Sequence, residues 1–207
     1  MAKSKKSSNR WLQEHESDFY VLKARQDGYR SRAAYKLLEL NERDRLVKPG
    51  MCVVDIGSSP GSWSQIAAKL VGDKGRIFAL DILPMDSLAD VDFIQGDFRE
   101  QSVMDQMLGL IGDREIDLVI SDIAPNISGM AAMDQPRAMY LVELALDLAR
   151  QVLSPNGVFV AKVFQGSGFD EYINEVSACF GKVVIRKPKA SRPRSCEVYL
   201  VARDFKV

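Results

Sequence analysis

From Met51 onward, short apolar runs rich in β-branched residues alternate with stretches of helical period. Cys52-Val53-Val54-Asp55-Ile56, Arg76-Ile77-Phe78-Ala79-Leu80, Val91-Asp92-Phe93-Ile94 and the stretches 116–120 and 158–163 read as five strands. Residues 62–71, 102–111, 137–153 and 169–180 read as helices, the third closed by a turn at Ser154-Pro155-Asn156-Gly157. Strands that alternate with helices build βαβ units, so an α/β fold is expected, a parallel sheet with helices on both faces. Stretches 182–185 and 197–202 follow as two more strands. Only a loop separates them, too short for a helical crossover, so they should pair antiparallel.

The 207 residues fit one generous domain, with 46% hydrophobic and 27% charged residues, which excludes a disordered chain. The first 28 residues carry no sustained apolar period, and the first ten, Met1 to Arg10, are expected to be mobile. A helix should start at Ser31, a good N-cap, and run through Ala33, Ala34, Tyr35, Leu37, Leu38 and Leu40 before the turn at Lys48-Pro49-Gly50. No apolar run approaches the ~20 residues of a membrane span, and no apolar stretch follows the basic N-terminus as in a secretory signal. Cys52, Cys179 and Cys196 are odd in number and far apart, so a reducing cytoplasm is expected rather than a disulfide framework. The single histidine, His15, leaves little room for a metal site or His-based catalysis, and no metal is expected.

Ligands of open α/β sheets bind beyond the carboxyl ends of the strands. After strand one comes Asp55-Ile56-Gly57-Ser58-Ser59-Pro60-Gly61-Ser62-Trp63, where Gly57 and Gly61 permit a tight turn and a close ligand approach. The tract is not G-x-G-x-x-G, and Pro60 has no N–H for a pyrophosphate cradle. A ligand with an amino-acid tail suits it better. Asp81 ends strand two, as expected of a ribose-binding acid, and Asp97 follows strand three, placed to accept from an exocyclic amine. Tail, ribose and adenine together suit S-adenosylmethionine. Seven strands with a closing hairpin are also the layout of the Rossmann-like methyltransferase sheet. Ser121-Asp122-Ile123-Ala124-Pro125-Asn126 follows strand four. Lys162 lies inside the apolar run 158–164, where an ammonium needs a partner unless the strand is an edge from which it snorkels.

At these residues the chain resembles the FtsJ family, bacterial heat-shock 2′-O-ribose methyltransferases of 23S ribosomal RNA. The resemblance runs from about Arg30 to the end. It rests on the tract 55–63, the tract 121–126, Lys162-Val163-Phe164-Gln165-Gly166, and Ser191-Arg192-Pro193-Arg194-Ser195-Cys196-Glu197-Val198-Tyr199. The family's Lys-Asp-Lys-Glu tetrad falls on Lys36, Asp122, Lys162 and Glu197. The resemblance implies methylation of a uridine ribose in the A-loop of 23S rRNA within the large (50S) subunit, during ribosome maturation. It implies S-adenosylmethionine held by Asp55, Gly57, Pro60, Gly61, Trp63, Asp81, Asp97 and Asp122. Residues 29–207 are then one catalytic domain behind a basic segment, 1–28, and a monomer is expected. Lys162 becomes the base or orienting group for the 2′-hydroxyl, although an ordinary lysine (pKa ~10.4) is protonated at neutral pH. Asp122 joins it, with Lys36 and Glu197 in support.

The formal net charge of zero conceals a pattern. Residues 1–50 carry +5, residues 51–154 carry −9 and residues 155–207 carry +4. Solvated lysines and arginines would give the same counts, but an acidic middle between basic ends also suits an anionic polymer. Arg186, Lys187, Lys189, Arg192 and Arg194 crowd one loop, and Lys23, Arg25, Arg30 and Arg32 precede Lys36; all nine are expected to face RNA. Tyr29, Tyr35 and Tyr199 could stack on bases or pack inside. Competing readings are a methyltransferase for tRNA or the mRNA cap, a non-catalytic ribosome-assembly factor, and a nicotinamide oxidoreductase.

Overall fold

In the computed structural model, residues 18–206 are described. Their strands form one sheet in the order β3-β2-β1-β4-β5-β7-β6. These are β1 (Cys52–Ile56), β2 (Arg76–Asp81), β3 (Val91–Gln95), β4 (Ile116–Ser121), β5 (Leu153–Phe164), β6 (Phe180–Arg186) and β7 (Glu197–Phe205). The first five strands pair parallel, whereas β7 runs antiparallel to both β5 and β6. The chain steps outward from β1 to β3, then returns to β4 on the other side of β1. The crevice at that reversal is where an open α/β sheet binds ligands.

The pleat sends alternate residues to opposite helical layers. Val53, Ile77, Leu118 and Val160 face helices α2 (Ala33–Asp44) and α3 (Ser62–Val71). Val54, Phe78, Val119 and Phe159 face α4 (Gln101–Ile111), α5 (Ala131–Val152) and α6 (Phe169–Cys179). Both faces are thus buried, which explains near-continuous apolar strands. On β5 the row facing α2 runs Val158, Val160 and then Lys162. Lys162 pairs with Tyr199 of β7 in a strand flanked on both sides, so it is no edge residue. It is 6% exposed, which leaves no room to snorkel.

Four local features differ from expectation. Helix α1 (Phe19–Gln26) lies in the segment without an apolar period, because only Val21 and Ala24 are buried and its start depends on Asp18 accepting from the Tyr20 amide. Helix α2 begins two residues past Ser31, whose hydroxyl accepts from the Ala33 amide and also bonds Ser62 Oγ at 2.7 Å. Helix α5 begins six residues before Arg137 and runs through Pro136, which removes one backbone hydrogen bond in its second turn without ending it. The turn at 154–157 lies within β5. Leu153 faces Ile116 and Val158 faces Leu118, so the residues between bulge out, with Asn156 at φ 65°. Residues 1–10 and His15 lie outside the described residues. Among the described residues no helix is long and apolar enough to cross a membrane.

Candidate active site

The carboxyl ends of β1, β2 and β4 open onto a cavity of about 500 Å³, lined in part by Gly57, Asp81, Asp97, Phe98, Asp122 and Tyr140. Gly57 has φ 74°, and a Cβ there would lie 2.8 Å from Ile123 Cβ, so only glycine fits. Asp81 accepts from the amides of Ser59 and Leu83, each at 2.8 Å, and thereby joins the loops after β1 and β2. Asp97 is held by Arg99, whose guanidinium hydrogen bonds keep that carboxyl below its ordinary pKa. The exocyclic-amine role expected of Asp97 would have to share the carboxylate with this arginine.

Four residues expected to bind a cofactor do not line the cavity. Asp55 is 1% exposed and accepts from Ser64 Oγ at 2.6 Å; burial pushes its carboxyl up to about 7, with Asp122 and Asp81 adding repulsion. Trp63 is buried in the layer beneath, where its indole N–H donates to the Ala33 carbonyl at 2.9 Å and its ring packs against Tyr199. The Pro60 carbonyl accepts from Arg30, and Gly61 makes room for the same guanidinium.

The structure brings Lys36, Asp122, Lys162 and Glu197 together. Helix α2 turns Lys36 toward the sheet, where its ammonium lies 2.9 Å from Glu197 Oε1 and 3.8 Å from Asp122 Oδ1. Lys162 Nζ lies 3.0 Å from the same Asp122 oxygen and donates to the Asp122 carbonyl at 2.6 Å. Two lysines thus face two carboxylates in a largely buried set, the pairing that buried charges require, and Asp122 is its member on the cavity wall. Burial alone would raise the Asp122 carboxyl, but Lys162 and Lys36 outweigh it and hold the group below its ordinary pKa. The same competition, burial against Lys36, lowers Glu197. Asp122 and Glu197 are therefore anions at neutral pH.

Tyr199, fully buried, donates to Asp122 Oδ1 at 2.6 Å. From the sequence Tyr199 reads only as a stacking or core residue. The signal was its place two residues after Glu197, on the same face of the same strand. Burial first, then the neighbouring Asp122, raise its hydroxyl pKa well above the ordinary value, so it stays a donor.

Most of the nine basic residues also bond within the protein. Lys23 pairs with Asp27 at 2.8 Å, and Arg32 reaches Asp18 and the Ala190 carbonyl. The Arg186 guanidinium donates to both carboxylate oxygens of Asp44 at 2.8 Å and to the Ile185 carbonyl at 3.3 Å. Lys187 donates to the carbonyls of Ser195 and Glu197, and Arg192 lies 3.9 Å from Asp18. Arg30 is fastened to three backbone carbonyls. Arg25, Lys189 and Arg194 are exposed.

Residues 29–205 match the family described as FtsJ-like methyltransferase. The chain is 64% identical to a protein of Cellvibrio japonicus, over 99% of this chain and 97% of that one. It is 65% identical to a protein of Marinobacter nauticus over the full length of both. Each of these relatives is named ribosomal RNA large subunit methyltransferase E. A solved structure from Plasmodium falciparum, described as a ribosomal RNA methyltransferase, superposes with TM-score 0.76 at 29% identity, covering 86% of this chain and 98% of that one.

Proposed function

The chain belongs to the FtsJ-like methyltransferase family, and we propose that it does what its relatives are named for, methylation of large-subunit ribosomal RNA. In finer detail, the acceptor is the 2′-oxygen of a uridine ribose in the A-loop of 23S rRNA within the 50S particle. The donor is S-adenosylmethionine. The observation that carries this reading is the buried Lys36–Asp122–Lys162–Glu197 cluster, whose Asp122 also lines the nucleoside-sized cavity.

The cavity's own residues fit that cofactor. Gly57 lets the backbone come close, Asp81 stands where ribose hydroxyls would reach it, and Phe98 gives an apolar wall. Asp122, an anion at the inner end, suits a positive sulfonium. When bound, the cofactor supplies an electrophilic methyl group. The protein's remaining work is alignment of the acceptor oxygen and removal of one proton.

Lys162 has three N–H directions when charged, and two are committed to Asp122. The third meets no hydrogen-bond partner among the described residues and would point to the ribose oxygen. In this charged form Lys162 orients the 2′-hydroxyl; in its neutral form it also takes the proton. Lys36, clamped between Glu197 and Asp122, fixes the carboxylate that aims Lys162.

The reading is tested by methyl transfer from labelled S-adenosylmethionine to large ribosomal subunits prepared from cells lacking this protein, with ribose methylation mapped along the RNA. One modified 2′-oxygen in 23S rRNA is expected. Modification confined to tRNA, or none at all from folded protein, would overturn it.

A further inference from the structure

We propose that Arg30 is a positioning residue of the cofactor cavity and not a ligand of RNA phosphate: it bolts the loops after β1 and β2 together. Its Nη1 donates to the carbonyls of Pro60 at 2.9 Å and Asp86 at 2.8 Å, and its Nη2 donates to that of Ser87 at 2.9 Å. Pro60 belongs to the loop that begins with Gly57, and residues 86 and 87 belong to the loop that leaves Asp81. Those loops form two sides of the cavity. Asp81 and Ser59 already join them at the cavity end, through the Ser59 amide on Asp81 and Ser59 Oγ on the Pro84 carbonyl. Arg30 joins them at the far end.

The guanidinium is itself held in place. The Arg30 amide donates to Gln65 Oε1, and Gln65 Nε2 donates to the Gly28 carbonyl at 2.9 Å, so helix α3 grips the backbone that leads into Arg30, on either side of Tyr29. Gly61 leaves the gap through which the side chain enters. A Cβ there would lie 2.6 Å from Arg30 Nη1 and 2.7 Å from Met85 Sδ. The planar fork of arginine reaches three carbonyls at once; a lysine keeps the charge but makes a single point contact. Segment 28–31 leads directly into α2, which carries Lys36, so the same bolt ties the cofactor loops to the start of the helix that completes the charged cluster.

This inference rests on the reading that the cavity holds S-adenosylmethionine, and the test separates the two. Binding of S-adenosylmethionine is measured by calorimetry for the wild type, Arg30→Ala and Arg30→Lys. Kinetics on large ribosomal subunits and the salt dependence of binding to a 23S rRNA fragment are measured in parallel. Both variants should weaken cofactor binding about tenfold or more and raise its KM alike, with kcat at saturating cofactor within about threefold. RNA affinity and its salt slope should not change. If Arg30→Ala has no thermal unfolding transition, Arg30→Lys carries the test. Cofactor affinity unchanged in a folded variant would overturn the proposal. So would a lysine variant that binds cofactor like the wild type while Arg30→Ala loses RNA affinity and about one unit of salt slope. A wild type that binds no S-adenosylmethionine would instead overturn the cofactor reading beneath it.

Discussion

The Tyr199 hydroxyl and the Lys162 ammonium converge on one oxygen, Asp122 Oδ1, at 2.6 and 3.0 Å. The two residues are also direct partners across the β5–β7 pair. The aim of the lysine is thus set by a strand register and a carboxylate together. Removing only the hydroxyl, by Tyr199→Phe, deprives a charged acceptor of one donor and leaves the packing against Trp63 intact. A hydrogen bond to a charged group is worth ~1.5–3 kcal/mol, so kcat should fall on the order of tenfold or more. Cofactor affinity should be unchanged. A kcat equal to wild type would show that Lys162 and Lys36 hold Asp122 unaided.

Lys162→Met keeps the length of the side chain and removes its charge. Positioned proton transfer is worth roughly 10²–10⁴-fold, so methyl transfer should drop by at least about 10² while cofactor binding holds. Lys162→Arg separates the two roles of the amine. An arginine can orient the hydroxyl but cannot lose a proton, so an arginine variant of near wild-type rate would remove the base role.

The sheet was legible because its strands are buried on both faces and end at acids or glycines, as at Asp55-Ile56-Gly57 and Leu80-Asp81. Lys162 stood out because a lysine inside 158–164 has no apolar explanation, whereas Lys36, Asp122 and Glu197 join it as a set only through the resemblance to the FtsJ family. What escaped is what depends on long-range pairing. Tyr199 matters through an aspartate 77 positions away, and Arg30 through carbonyls 30, 56 and 57 positions away. A backbone carbonyl leaves no mark in a sequence, so a basic residue bound to carbonyls reads the same as one waiting for phosphate. Trp63 was drawn into the ligand tract by its neighbours, yet it is the first turn of α3 that points it inward, onto Ala33.

Asp55 carries a second consequence of burial. Its carboxyl is pushed up to about 7 in the folded chain, against ~3.9 when unfolded. A raised acid lends its full stability below the unfolded value and loses it as pH climbs toward the folded one. Between about pH 4 and 7 this group should make the fold progressively less stable. Asp55→Asn retains an acceptor for Ser64 and cannot ionise. In urea unfolding the variant should be more stable than wild type at pH 8, with the gap closing as pH falls toward 4. Parallel pH profiles for the two proteins would refute the assignment.

Arg186, the last residue of β6, and Lys189, three residues on in the basic loop that follows, should behave differently. Arg186 is bidentate to Asp44, and the two side chains are only 19% and 9% exposed. Its loss strands a buried carboxylate that the arginine holds below its ordinary pKa. Arg186→Ala should therefore lower Tm and leave the salt dependence of RNA binding nearly unchanged. Lys189 gives its backbone amide to Glu39, and its side chain is exposed. Lys189→Ala should leave Tm alone, weaken binding to a 23S rRNA fragment and lower the slope of log K against log salt by about one. The reverse pattern would mean that the loop opens on contact with RNA, freeing Arg186 from Asp44 for phosphate.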